Sequence, residues 1–167
     1  PGLNVLPLGV ERYVVNGGGL TGVQILPDDE IEIINNEGNQ LCEILVFNKD
    51  GKSELSILNL KENKNSNEIK KILSKKDESS LAAAYQLKKR NLDFDKSKSA
   101  VIFNKDTEAD EKIKLKAKDK CYCIFSAPGP EMLVHQQNPT TDLTIFIKRS
   151  KITKDKEHSI IPDPVYD

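Results

Sequence analysis

Asn48-Lys49-Asp50-Gly51 separates an apolar run, Leu41 to Phe47, from a second alternating set at Leu55, Ile57 and Leu60. Asp-Gly accepts the positive φ angles that a tight turn needs, so this is the strongest hairpin signal in the chain. Shorter versions of the same pattern precede it. Tyr13-Val14-Val15 leads into a glycine cluster, and Val23 and Ile25 alternate within Thr21 to Leu26. Pro27-Asp28-Asp29 is a turn, Ile31 and Ile33 alternate again, and Asn35-Asn36-Glu37-Gly38 is a second turn. Short period-two runs closed by turn residues dictate β-strands. The strand pattern resumes at Ser99 to Phe103, Lys112 to Lys116, Cys121 to Phe125, Glu131 to Val134 and Leu143 to Ile147.

Between the two groups of strands the period changes. Residues 61–67 are polar and Asn-rich, and two helices are expected after them. Ser66 caps the first, with Ile69, Ile72 and Leu73 on one face. Asp77 caps the second, where Leu81, Ala84, Tyr85 and Lys88 follow helical spacing. The expected class is therefore α+β and mostly β: a curled antiparallel sheet or small barrel with a two-helix insertion at about residues 66–92. Residues 1–155 form a single β-rich domain on this reading. The Pro-spaced end, residues 156–167, is a linker to a following domain. Pro1-Gly2 at the start, in place of Met, points the same way, to a segment of a longer polypeptide.

Composition excludes several function classes. The 167 residues carry 25 Lys and Arg against 26 Asp and Glu, a net charge of −1, so no basic surface argues for nucleic acid or membrane binding. No apolar run is long enough to span a membrane. Aromatic residues make up only 5%, too few for base-stacking platforms. Three cysteines argue against a disulfide scaffold and for a reducing, cytoplasmic compartment.

The motifs are each outweighed or balanced by a plainer role. Gly17-Gly18-Gly19-Leu20-Thr21-Gly22 fits G-x-G-x-x-G, but dinucleotide binding needs a helix to open there, and a strand ending at Pro27 comes instead. It reads as a glycine-rich hairpin connection. Cys121 and Cys123 share one strand face, and with Cys42 and His135 could form a zinc site only if distant strands met; buried apolar cysteines are the simpler reading, and no metal site is expected. Lys112, Lys114, Lys116, Lys118 and Lys120 share a face if their strand runs unbroken, where they would discourage edge-to-edge pairing. Gln40 and Glu43 flank Cys42 near the start of a buried-looking strand, and His135 ends another. Gln40, Glu43 and His135 are the candidate ligand-binding residues, because polar groups at a barrel mouth can orient a small ligand. Gln40 and Glu43 equally suit backbone groups near a turn. No catalytic residue is identified: neither a nucleophile elbow nor H-E-x-x-H is present.

The run from Ile25-Leu26-Pro27-Asp28-Asp29-Glu30 through Asn35-Asn36-Glu37-Gly38-Asn39-Gln40 to Glu43-Ile44-Leu45-Val46 resembles a segment of urea carboxylase-associated proteins. The whole chain is similar to the N-terminal module of multidomain aminomethyltransferase-like proteins related to the glycine cleavage T-protein. Glu11-Arg12-Tyr13-Val14-Val15, Ala127-Pro128-Gly129, Asn138-Pro139-Thr140-Thr141-Asp142 and Ile161-Pro162-Asp163-Pro164 carry the likeness elsewhere. The resemblance implies an accessory N-terminal domain of a protein that transfers one-carbon units from an amine substrate. It implies tetrahydrofolate for the parent protein, no cofactor in this segment, and the following domains of the same polypeptide as partners. The alternatives are an autonomous small-molecule-binding barrel, or an amide- or amine-processing enzyme using Glu43 and His135 as acid and base.

Overall fold

The computed structural model describes residues 6–63, 69, 78–104, 106–128 and 140–151. Eight strands lie within them: β1 Val10–Val15, β2 Leu20–Ile25, β3 Glu30–Asn35, β4 Cys42–Phe47, β5 Ser99–Ile102, β6 Glu111–Lys116, β7 Cys121–Ser126 and β8 Leu143–Lys148. They form two four-stranded antiparallel sheets, ordered β1-β8-β3-β6 and β2-β7-β4-β5. That order, with successive strands alternating between sheets except for β4 and β5, which pair with each other, is jelly-roll topology.

The expected curled sheet or small barrel is therefore replaced by an open sandwich. The turns at Gly17–Gly19, Pro27–Asp29 and Asn35–Gly38 do turn the chain, but each carries it from one sheet to the other. Turn residues have the same φ requirements in such an arch as in a hairpin: Gly18, Asp28 and Gly38 all take positive φ. Asn48–Gly51 is a tight turn as expected, with Gly51 N–H donating to the Asn48 carbonyl. Past this turn the chain makes a single bridge, Phe47 to Ser53, and then a 3-10 turn, Leu55–Leu58, instead of a strand.

Period-two alternation sets what each sheet buries. Tyr13 and Val15, Val23 and Ile25, Ile31 and Ile33, Cys42, Ile44 and Val46, Cys121, Cys123 and Phe125, and Leu143, Ile145 and Ile147 form the core between the sheets. The second sheet is buried on its other side too. There Leu45, Phe47, Tyr122 and Ile124 pack with Ile69 and Leu87. This is why Cys42–Phe47 and Cys121–Ser126 are buried along their whole length and read as apolar runs.

Leu87 belongs to α1, Glu78–Lys89, which matches the second expected helix. Of the residues at helical spacing, Leu81 and Tyr85 are exposed at 57% and 64%, while Gln86 and Leu87 are buried. Helical spacing identifies the wrong side, because Leu81 and Tyr85 share a face just as Leu87 shares one with Ala84. Of the expected two-helix insertion this is the helix that is described; the first, apart from buried Ile69, lies outside the described residues. So do Asp77, the strand expected at 131–134 and the linker at 156–167.

One end of the sandwich is closed by charge. Arg149, just past β8, is 8% exposed and forks onto Glu11 of β1, Nε to Oε2 at 2.7 Å and Nη2 to Oε1 at 2.9 Å. Its Nη1 donates to Asp29 Oδ2 at 2.7 Å and to the Gln24 carbonyl of β2 at 2.9 Å. Asp29, fully buried, also accepts the Leu26 and Ser150 N–H groups, both at 2.9 Å. Burial alone would lower the Arg149 pKa; the two carboxylates outweigh it and hold the guanidinium charged. Arg149→Ala would strand Asp29 as a buried, unpaired charge. The expected loss is about 3–5 kcal/mol of unfolding free energy in urea titration, and a loss under ~1 kcal/mol would show that the network is dispensable.

Candidate functional site

The opposite end of the sandwich is built from turns and hydrogen bonds between mostly neutral groups. Gly17 N–H donates to Asp142 Oδ1 at 2.8 Å, Gly18 N–H to the Ala127 carbonyl at 2.7 Å, and Ala127 N–H to the Gly19 carbonyl at 3.2 Å. A Cβ at Gly17 would stand 2.6 Å from Thr140 Oγ1. The glycines thus allow a loop to press against the entry to β8, and strand β2 succeeds them where a phosphate-binding helix would have to begin.

Gln40 is the centre of this end. It is 3% exposed, and its Nε2 donates to the Leu41 carbonyl at 2.9 Å and the Pro128 carbonyl at 2.7 Å. Its Oε1 accepts Thr141 N–H at 2.9 Å, and its own carbonyl accepts Asn35 Nδ2 at 2.7 Å. One amide side chain therefore joins the β3–β4 turn to positions 128 and 141, which flank residues 129–139. His135 falls in that segment and lies outside the described residues.

Glu43, the second residue of β4, faces away from the core between the sheets. Cys42 and Ile44 face the core between the sheets, whereas Glu43 shares the outer side of β4 with Leu45 and Phe47. It is 1% exposed and lies in register between Val101 of β5 and Ser126 of β7. The structure thus brings Gln40 and Glu43 to the same end of the sandwich, but not to the same side of the second sheet. Both N–H groups of Gln40 are already taken by protein carbonyls, so its main work here is to hold loops together.

The same end holds buried polar atoms with no partner among the described residues: Asn35 Oδ1, Ser126 Oγ and Thr141 Oγ1. An unmet buried polar atom costs about 1–3 kcal/mol, so their concentration around Gln40 and beside Glu43 makes this end the candidate site. Pattern reasoning misses Ser126 and Thr141, which carry no motif; the only signal is a hydroxyl residue at the end of an otherwise apolar strand.

The cysteines serve packing. Cys42, Cys121 and Cys123 are all free and buried, with Cys121 and Cys123 Sγ atoms 3.6 Å apart. Burial pushes the Cys42 and Cys123 thiols above the ordinary thiol range. Among the described residues no three His, Cys, Asp or Glu side chains are grouped to hold a metal ion.

No protein-family model matches the chain. It is similar to the trimethylamine-oxide aldolase of Ruegeria pomeroyi, with 30% identity over 162 residues. The match takes in 97% of this chain and 20% of that protein, so the chain spans about a fifth of the length of this curated relative. Among solved structures, PirA is similar at a TM-score of 0.33 with 12% identity, over 87% of this chain and 99% of that one.

Gln40→Ala would leave the Pro128 carbonyl and the Thr141 N–H without partners, and about 2–3 kcal/mol of stability is expected to be lost; an unchanged urea midpoint would contradict the clasp. The thiols give a second check. At pH 8, Ellman's reagent is expected to find no reactive cysteine in the folded chain and three in denaturant. Because the folded Cys42 and Cys123 thiol pKa values are raised, the stability these two contribute is present below about pH 9 and falls as pH rises beyond it, when unfolded thiols ionise first.

Proposed function

We propose that the chain is an accessory β-sandwich domain of a longer protein related to trimethylamine-oxide aldolases, without a complete active site of its own. The observation that carries this reading is the extent of the match: nearly all of the chain aligns with a fifth of a much longer enzyme. The aldehyde that can leave trimethylamine oxide is formaldehyde, with dimethylamine as the other product, and together these contain all the atoms of the substrate. The parent would thus generate or pass on a one-carbon unit from an amine. Tetrahydrofolate, an acceptor for carbon at that oxidation level, is the cofactor this reading gives to the parent, bound outside these residues. The partners are the other domains of the same polypeptide, and three free cysteines suit a reducing, cytoplasmic compartment. Among the described residues no helix is long and apolar enough to cross a membrane.

A second reading makes the Gln40 end a small-molecule pocket in its own right, with Glu43 and His135 as acid and base. The unpartnered Asn35, Ser126 and Thr141 oxygens favour it, since a ligand's polar groups would satisfy them. Incubation with trimethylamine oxide separates the two. The longer protein is expected to release formaldehyde and dimethylamine, and the 167-residue chain neither. Turnover by the isolated chain at a comparable rate would overturn the accessory reading, and its loss in Glu43→Gln would establish the second.

A further inference from the structure

The outer side of the first sheet has no described helix over it, and its register produces a charged lattice. Across β1, β8, β3 and β6, one row runs Val10, Lys148, Glu30, Lys116 and the next runs Arg12, Phe146, Glu32, Lys114. Lys112 opens the row after that, opposite Ile34. Arg12, Lys112, Lys114, Lys116 and Lys148 thus face Glu30 and Glu32, a cationic excess on a chain whose net charge is −1.

The lysines are not equivalent. Lys112 and Lys114 both turn to Glu32, at 4.0 and 3.8 Å, and so spend their charge within the edge of the sheet. Lys116 and Lys148 stand on either side of Glu30 in register. Among the described residues no carboxylate lies within ion-pair distance of either ammonium. The expected lysine stripe also ends here, because β6 stops at Lys116 and Lys118 lies in the turn beyond it. Edge protection applies to the lysines of edge strand β6, but it does not account for Lys148, which lies on interior strand β8 across Glu30 from Lys116.

These two lysines border a cleft of about 660 Å³. Half-buried Phe146 lies in its floor, and Leu6, Pro7 and Val10 supply an apolar wall. The volume is that of a small-molecule site, where an apolar surface takes the body of a ligand and a few placed charges fix its orientation. Glu30, Glu32 and Lys114 line the cleft as well, and because Lys114 pairs with Glu32, Lys116 and Lys148 together exceed the charge of Glu30 by one; a concave surface with an excess of one sign concentrates the opposite sign.

We propose that this cleft is a binding site for an organic anion with a flat or extended apolar body, which lies over Phe146 while its carboxylate or sulfonate meets Lys116 and Lys148. The site is on the opposite sheet from Glu43 and does not depend on the accessory role proposed above.

The test is titration of the ¹⁵N-labelled 167-residue chain with 1-naphthaleneacetate, 1-naphthylmethylammonium and sulfate. Naphthaleneacetate is expected to give saturable shifts confined to amides near Val10, Glu30, Lys116, Phe146 and Lys148. The ammonium compound, with the same body and opposite charge, and sulfate, with charge but no body, are each expected to bind at least tenfold more weakly. Lys116→Glu with Lys148→Glu is expected to weaken naphthaleneacetate at least tenfold while the remaining amide peaks and the thermal midpoint stay in place. Lys112→Glu, outside the cleft, is the control for a general loss of positive charge and should change affinity less than twofold. Diffuse or unsaturable shifts, equal binding of the two naphthyl compounds, equal binding of sulfate, or an unchanged affinity in the double variant would overturn the proposal.

Discussion

The sandwich depends on a single guanidinium. Arg149 is the point at which β1, β2, the β2–β3 turn and the end of β8 meet, so it couples both sheets at one end. Its planar fork suits this task as a lysine would not, since it engages Glu11 with two nitrogens while a third reaches both Asp29 and a backbone carbonyl. The arrangement places two carboxylates around one cation in a buried setting, which is tolerable only because backbone N–H groups and the Tyr13 hydroxyl share the excess negative charge. Tyr13 feels the consequence, as burial and its bond to Glu11 push its phenol above the ordinary range.

The two ends of the molecule use different chemistry for the same purpose. At the Arg149 end, charges hold the sheets. At the other end Gln40 does so with neutral amide bonds, and some hydroxyls and an amide oxygen nearby are left unsatisfied. Among the described residues, the unpartnered Asn35, Ser126 and Thr141 oxygens gather at the Gln40 end, and the chemical opportunity lies there. The cleft over Phe146 is separate again, on the outer side of the first sheet.

Strand positions are largely legible in the sequence, because alternation of Ile31 with Ile33 or Val23 with Ile25 is a local property of the chain. Sheet membership is not. The turns at Gly17–Gly19 and Asn35–Gly38 require the same backbone conformations whether the chain folds back on its neighbour or crosses to the facing sheet, and only packing decides between them. The side of α1 that meets the sheet is misleading for a similar reason: Tyr85 is apolar at the right spacing, yet Gln86 and Leu87 are the buried pair. Gln40 and Glu43 are visible as polar residues beside a buried strand, but pattern does not show that the Gln40 side chain already bonds its own turn and positions 128 and 141. Arg149 escapes pattern reasoning altogether. Its one signal is scarcity: a chain that otherwise uses lysine has Arg only at 12, 90 and 149. Two of these do what lysine does poorly, for Arg90 stacks over the Tyr122 ring at 4.3 Å and Arg149 forks between carboxylates.

The strand order of the first sheet has a consequence for biosynthesis. β8 is the last strand described, yet it lies between β1 and β3, and Arg149 bonds to a residue 138 positions earlier. During translation β1 and β3 therefore emerge with no partner between them, and their apolar faces stay open until β8 has left the ribosome. Folding must wait for that strand and will be slow, since nearly every pairing closes a long loop. A chain terminated before β8 would lack an interior strand of the sheet together with the arginine that locks it, and would be a substrate for chaperones or proteases.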